Sequence, residues 1–314
     1  MIVRDKLPLK RIWPQAWRRL LLLLIFDCTV ALIYSVFHHK WISLNGLPVA
    51  PLASALTIFL AFRTNAAYGR WWEARQLWGK LVNYSRALTR QYLTMLDDET
   101  EDAGRPPLRN ELVRHQIAFA HALRCHLRKQ ASLPEMRTIL GEEIADELSA
   151  YKNIPAAINL RTGRLLRQAR MEGMLDIFRW TAIDENLTEM ANIQGACERI
   201  KNTPLPRQFD YLPRLLVDAF CWLLPLAIVE DLGLMTPLAS VLISFTFIAA
   251  DLMSREISNP FDNTIHDTPM TALSRTIELN LREQMAETDK ARGWREPSRQ
   301  RVRLDVMPVD GFVF

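Results

Sequence analysis

Ser54, Ile58 and Phe62 recur four residues apart in an apolar stretch that runs, with no turn, into "FRTNAAYGRWWEARQLWG" (Phe62–Gly79). At that spacing the three side chains share one face of a helix. Their chemistry is exclusion rather than bond-making. Stacked rings of Ile and Phe around an axis make an apolar constriction that gates by dewetting. The alternative for the same stripe is ordinary packing against a neighbouring helix. Two acids, Asp27 and Asp218, lie inside other apolar stretches. An ionisable group there is costly, and it faces either a water-lined cavity or a hydrogen-bonding partner such as Ser, Thr or Trp. Glu230 and Asp231 stand together between two further apolar runs, where they enrich cations at a channel mouth unless helix ends hold them.

Bond-making chemistry has no comparable anchor. The chain contains no G-x-x-x-x-G-K-[ST], no G-x-S-x-G and no H-E-x-x-H. His115, His121 and His126 do not share a face at metal-ligand spacing, which points to solvated or interhelical roles. Cys28, Cys125, Cys197 and Cys221 form no C-x-x-C pair, so buried free thiols are expected rather than a zinc site or disulfides. No enzyme, cofactor or metal is indicated. A net charge of +4 over 314 residues is too small to argue for nucleic acid.

The elements that must position these residues are four apolar runs: Leu20–Phe37, Leu47–Phe62, Leu215–Val229 and Met235–Ala250. Each is slightly short of the roughly 20 residues a spanning helix wants, and buried core helices are the soluble alternative. Flanking charge favours the membrane. Arg4, Lys6, Lys10, Arg11, Arg18 and Arg19 precede the first run, opposed only by Asp5, and Arg63, Arg70, Arg75 and Lys80 follow the second. Lys40 is the one full cation between the first two runs. The positive-inside rule then puts both termini and the long middle segment in the cytoplasm. Trp41 and His38–His39 suit an outer interface; Trp13, Trp17, Trp71 and Trp72 suit an inner aromatic belt. A cleavable signal peptide is not expected.

The division that follows is a cytoplasmic N-terminal segment (1–19), a transmembrane pair (20–62), a cytosolic helical region (63–213), a second transmembrane pair (214–256) and a cytosolic C-terminal segment (257–314). In the middle region Val113, Ile117, Ala120 and Leu123 recur at helical spacing, with Arg and His on the other side. "EMRTILGEEIADELSAY" and "GRLLRQARMEGMLDIFRWTAIDENLTEMANIQGACERI" read as further amphipathic helices. "DDETEDAGRPPLRN" is a loop, and the "NG" at Asn45–Gly46 falls in an outer loop. Strand alternation is absent.

Three blocks, "IFLAFRTNAAYGRWWEARQLWGKL", "KNTPLPRQFDYLPRLLVDAFCWLLPLAIVEDLGLMTPLASVLISFTF" and "SREISNPFDNTIHDTPMTALSRTIELNL", resemble the bestrophin family, including its bacterial branch, in order and spacing from Trp17 to Glu283. The resemblance implies an all-α membrane protein. Its four transmembrane helices continue into a cytosolic vestibule, as a homopentamer around one axial pore. It implies a passive ion channel of a bacterial inner membrane, with chloride or another anion as the permeant ion. Monovalent-cation conduction on the same fold is the alternative, and a membrane-anchored scaffold is the rival of another class. Its partners would be permeant monovalent ions, the lipid membrane and copies of itself. By motif position the neck residues are Ser54, Ile58 and Phe62, with Leu212 the candidate for a lower cytosolic constriction. This chain departs from the family in three places. Ser54 stands where a larger apolar residue is usual, which shortens or wets the neck. Only Asp262 and Asp267 follow N-P-F where eukaryotic members carry a calcium-binding acid run. "RQFDYLPR" brings Arg207, Asp210 and Arg214 ahead of the third membrane helix.

Overall fold

The computed structural model describes residues 9–44, 46–97, 107–264 and 266–291, and every regular element among them is helical. Asn45 of the expected outer loop, most of the polar loop after Asp97, the terminal charges Arg4, Asp5 and Lys6, and the tail beyond Ala291 lie outside the described residues.

The longest element, α2 (Val49–Met95), has 47 residues. At 1.5 Å per residue it spans about 70 Å, more than twice the roughly 30 Å hydrocarbon thickness of a bilayer. It is unbroken for identifiable reasons. Pro51 falls in the first turn, where its missing N–H has no helical partner in any case. Gly69 and Gly79 each cost only about 1 kcal/mol relative to Ala. Against that stands one buried stripe along the helix, from Leu56 and Leu60 through Ala67 and Ala74 to Trp78 and Leu81.

Helix α2 contributes residues to two compact units. One comprises, among the described residues, 9–71 together with 204–259. It holds α1 (Leu9–Ser35), the first part of α2, α8 (Arg207–Leu232) and α9 (Thr236–Ser258). α1 packs on α8 and α9, which pack on each other. Leu20, Leu23, Leu56, Leu60, Phe220 and Ile248 form the core. Thr236, Ser240 and Ser244 recur at four-residue spacing on the buried face of α9, and small side chains let helices approach closely. Asp27 of α1 is fully buried beside the Ser240 hydroxyl. Asp218 is partly exposed, 3.8 Å from Arg19 and 3.9 Å from Arg214. Of the two acids, then, only Asp27 takes an interhelical hydroxyl neighbour; Asp218 faces arginines instead. Gly233, at φ +51°, ends α8 in a conformation costly for any Cβ-bearing residue. Many apolar side chains of this unit face outward, among them Leu22, Ile25, Leu32, Leu238 and Leu242. Val49–Met95 and Gln208–Ser258 are each long and apolar enough to cross a membrane.

The other unit comprises, among the described residues, those of 72–203 and 260–291. It adds α3 (Leu108–Leu127), α4 (Leu133–Leu140), α5 (Glu142–Ser149), α6 (Ile154–Met171), α7 (Ile177–Asn202) and α10 (Met270–Ala291). α3 is its axis, packed by α4, α6, α7 and α10. Of the solvated and interhelical roles expected for the Arg and His side of α3, the structure shows mainly the interhelical one. Arg109, His115, His121 and Arg124 are buried, because neighbours cover the helix on every side. The two long helical readings also break. Gly141 (φ +97°) divides α4 from α5 and Gly173 (φ +79°) follows α6, with the Asp176 carboxylate then accepting the N–H groups of Phe178 and Arg179 to start α7. Cys125, Cys197 and Cys221 are the buried free thiols expected, but Cys28 lies exposed on α1.

Candidate functional site

The α2 stripe of Ser54, Ile58 and Phe62 faces away from the chain's own core. Ile58 is 56% exposed and Phe62 65%, whereas Leu56 is 3% and Leu60 5%. Ile58 and Leu60 lie about 200° apart around the helix, so one edge of α2 is committed to the protomer and the opposite edge is left bare. Packing inside the protomer therefore does not account for the apolar stripe. The Ser54 hydroxyl donates to the Ala50 carbonyl one turn back, at 2.8 Å. Its O–H is engaged on its own helix, so Ser54 presents a small side chain whose oxygen can still accept a hydrogen bond.

Leu212 lies near the start of α8, 44% exposed beside the exposed Tyr211. Glu230 and Asp231 are exposed in the last turn of α8. A helix C-terminus disfavours negative charge, so the two acids do not stabilise the helix they end. Glu230 accepts the Ser43 hydroxyl at 3.2 Å from the loop before α2. No ion pair holds either carboxylate among the described residues.

Two charged clusters were not foreseen. Arg63, counted from sequence as a flanking cytoplasmic cation, is 3% exposed. Its guanidinium donates to Asp251 of α9 and, at 2.5 Å, to Asp210 of α8. Arg255 closes the group, with Nε 3.3 Å from Asp251 and 3.7 Å from Asp210. The partners stand 188 and 147 residues away in the chain, beyond any local pattern. The one available signal was Asp251 at the end of the fourth apolar run, an acid needing a counter-ion.

The second cluster centres on His121 of α3. Nε2 lies 3.1 Å from Glu278 of α10 and Nδ1 lies 3.2 Å from Glu135 of α4. Burial opposes the imidazolium, but hydrogen bonds to the two carboxylates outweigh it and raise the His121 pKa above the ordinary value. Burial likewise opposes ionisation of Glu278, yet His121 and Arg282 hold it down to about 2. Asp262 pairs with Lys201 at 2.6 Å, and buried Asp267 accepts the Thr264 hydroxyl at 2.5 Å. Among the described residues no three His, Cys, Asp or Glu side chains converge as a metal site.

With this geometry in hand, comparison with known proteins places the chain. Residues 8–283 match the family model described as bacterial/fungal bestrophin protein. The protein named voltage-dependent anion channel-forming protein YneE from Salmonella typhi is 36% identical over 271 residues, covering 86% of this chain and 87% of that one. A protein of the same general name from Ralstonia nicotianae is 35% identical, covering 87% and 90%. The crystal structure of a point variant of a bacterial bestrophin homolog from Klebsiella pneumoniae superposes with a TM-score of 0.80 at 34% identity, covering 86% of this chain and 99% of that one.

Proposed function

The chain belongs to the bacterial/fungal bestrophin family, and on that premise we propose that it is a passive anion channel, chloride its ordinary permeant ion, working as a homopentamer in a bacterial inner membrane. The observation that carries the reading is the bare apolar edge of α2. One helix cannot enclose a pore, so rings of Ile58 and Phe62 need a closed cyclic assembly. Five α2 edges facing one axis cover that surface and form the neck. Ser54 widens its outer end, and Leu212 is the candidate for the lower constriction. The unbroken run of α2 past Phe62 continues the passage from bilayer to cytosolic vestibule. The flanking cations favour a cytoplasmic side for both termini and residues 63–213.

An apolar neck discriminates by hydration and not by charge sign. The names of the relatives speak for anions. Exposed Glu230 and Asp231, in a turn where they do not serve helix stability, favour the second reading of a monovalent-cation channel. Chloride release from vesicles holding purified protein, read with a chloride electrode against protein-free vesicles, tests the proposal. Release that stops on Ile58→Trp supports it. No release above the blank, in preparations shown by native mass spectrometry to be pentameric, overturns it.

A further inference from the structure

We propose that Arg63 is a positioning residue for the pore. With Asp251, Asp210 and Arg255 it forms a clasp that fixes the rotation of α2 at the Phe62 ring, so the state of the clasp sets how open that ring is. The inference rests on the reading of Ile58 and Phe62 as the neck.

Phe62 and Arg63 are adjacent on α2 and point about 100° apart. Phe62 is bare while Arg63 is buried. Arg63 therefore does not line the passage, yet no rotation of the helix moves Phe62 without moving Arg63. The guanidinium is tied to two different helices, Asp251 on α9 and Asp210 on α8, and Arg255 bridges the same two carboxylates. A planar guanidinium fork with two carboxylates resists rotation in a way a point charge does not. The cluster holds two cations and two anions, so it places no net charge near the permeating ion and acts through geometry.

The members differ in how firmly they are held. Asp251 is 1% exposed, and its loss would strand a buried cation. Asp210 is 57% exposed in the first turn of α8. It is the member that water can replace, and so the place where the clasp opens without unfolding the unit.

The test compares single-channel currents, pentamer content and melting temperature for wild type, Asp210→Asn, Arg63→Lys, the double variant and the remote exposed control Asp184→Asn. The proposal expects folded pentamers in Asp210→Asn and Arg63→Lys with open probability or unitary current changed at least about fivefold. The double variant should change little beyond either single, since the two act through one contact. Wild-type currents in both single variants overturn it. So does loss of the pentamer in Asp210→Asn, which would make the cluster a structural staple only. Ile58→Ala with Phe62→Ala is recorded in parallel. If that pair changes the current and the clasp variants do not, the clasp alone is refuted. If it leaves the current unchanged, the neck reading fails first.

Discussion

Truncating the neck separates a pore lining from a packing stripe, because the two roles move different observables. In Ile58→Ala with Phe62→Ala, less than half of each side chain is buried within the protomer, at exposures of 56% and 65%. At roughly 0.8 kcal/mol per buried methylene, the loss from the protomer's own packing is about 1 kcal/mol for each. Leu60→Ala, two residues away on the same helix but 5% exposed, empties a core position. It should cost about 2–5 kcal/mol through cavity formation. The expected contrast is therefore a neck variant that melts close to wild type, stays pentameric and conducts more, since a wider ring wets more readily. Leu60→Ala should melt well below wild type with unitary current unchanged wherever it folds. The assay is bilayer recording beside a thermal-melt series on the same preparations. A neck variant that loses its oligomer, or keeps wild-type current while losing stability like Leu60→Ala, would refute the assignment of Ile58 and Phe62 to the pore.

Further outcomes follow from the same geometry. The His121 pKa is raised in the folded state, so its stabilisation is full below about 6.5 and is lost as pH rises through the folded value; the melting temperature should fall across that alkaline window, and His121→Gln should flatten the fall. Glu278 is held down to about 2, so its contribution is present above its ordinary value and disappears as pH drops towards 2; Glu278→Gln should melt lower at neutral pH and show a flatter fall on acidification. Asp27 is fully buried and neither of its oxygens closes a hydrogen bond of full geometry, so Asp27→Asn, which removes the chance of a buried charge, should leave the melting temperature unchanged or raised; a fall of several degrees would show a charge that is needed. Single cysteines replacing exposed Lys40 and exposed Glu143 should react with an impermeant maleimide from opposite faces of the membrane, and labelling of both from one face would contradict the topology.

The features that sequence disclosed are those carried by local pattern. The continuity of α2 follows from the absence of an internal proline after Pro51, and residue spacing put Ser54, Ile58 and Phe62 on one face, although which face the protomer buries came only from the structure. The three family blocks disclosed the fold, since their order and spacing survive where individual residues differ. What escaped was set by distant partners. Arg63 reads as a flanking cation until Asp210 and Asp251 fold against it. His121 reads as either solvated or interhelical until α4 and α10 cover α3. An amphipathic pattern reports how polar a face is and not whether charges on another helix will meet it, so a buried ion-pair network is written in the same letters as a solvated one. The break at Gly141 went unseen for a related reason. A glycine between two amphipathic stretches fixes a turn only if the backbone enters the left-handed region, and that depends on where the flanking helices dock.

The central claim, passive anion conduction, meets its most direct test in a planar bilayer containing the purified chain, with a tenfold gradient of potassium chloride across it. The account predicts steady currents whose reversal potential approaches the chloride equilibrium value, about 59 mV from zero. Reversal at the same magnitude but opposite sign would contradict anion selectivity and favour the cation reading that Glu230 and Asp231 support. Absence of current from confirmed pentamers would contradict the channel itself.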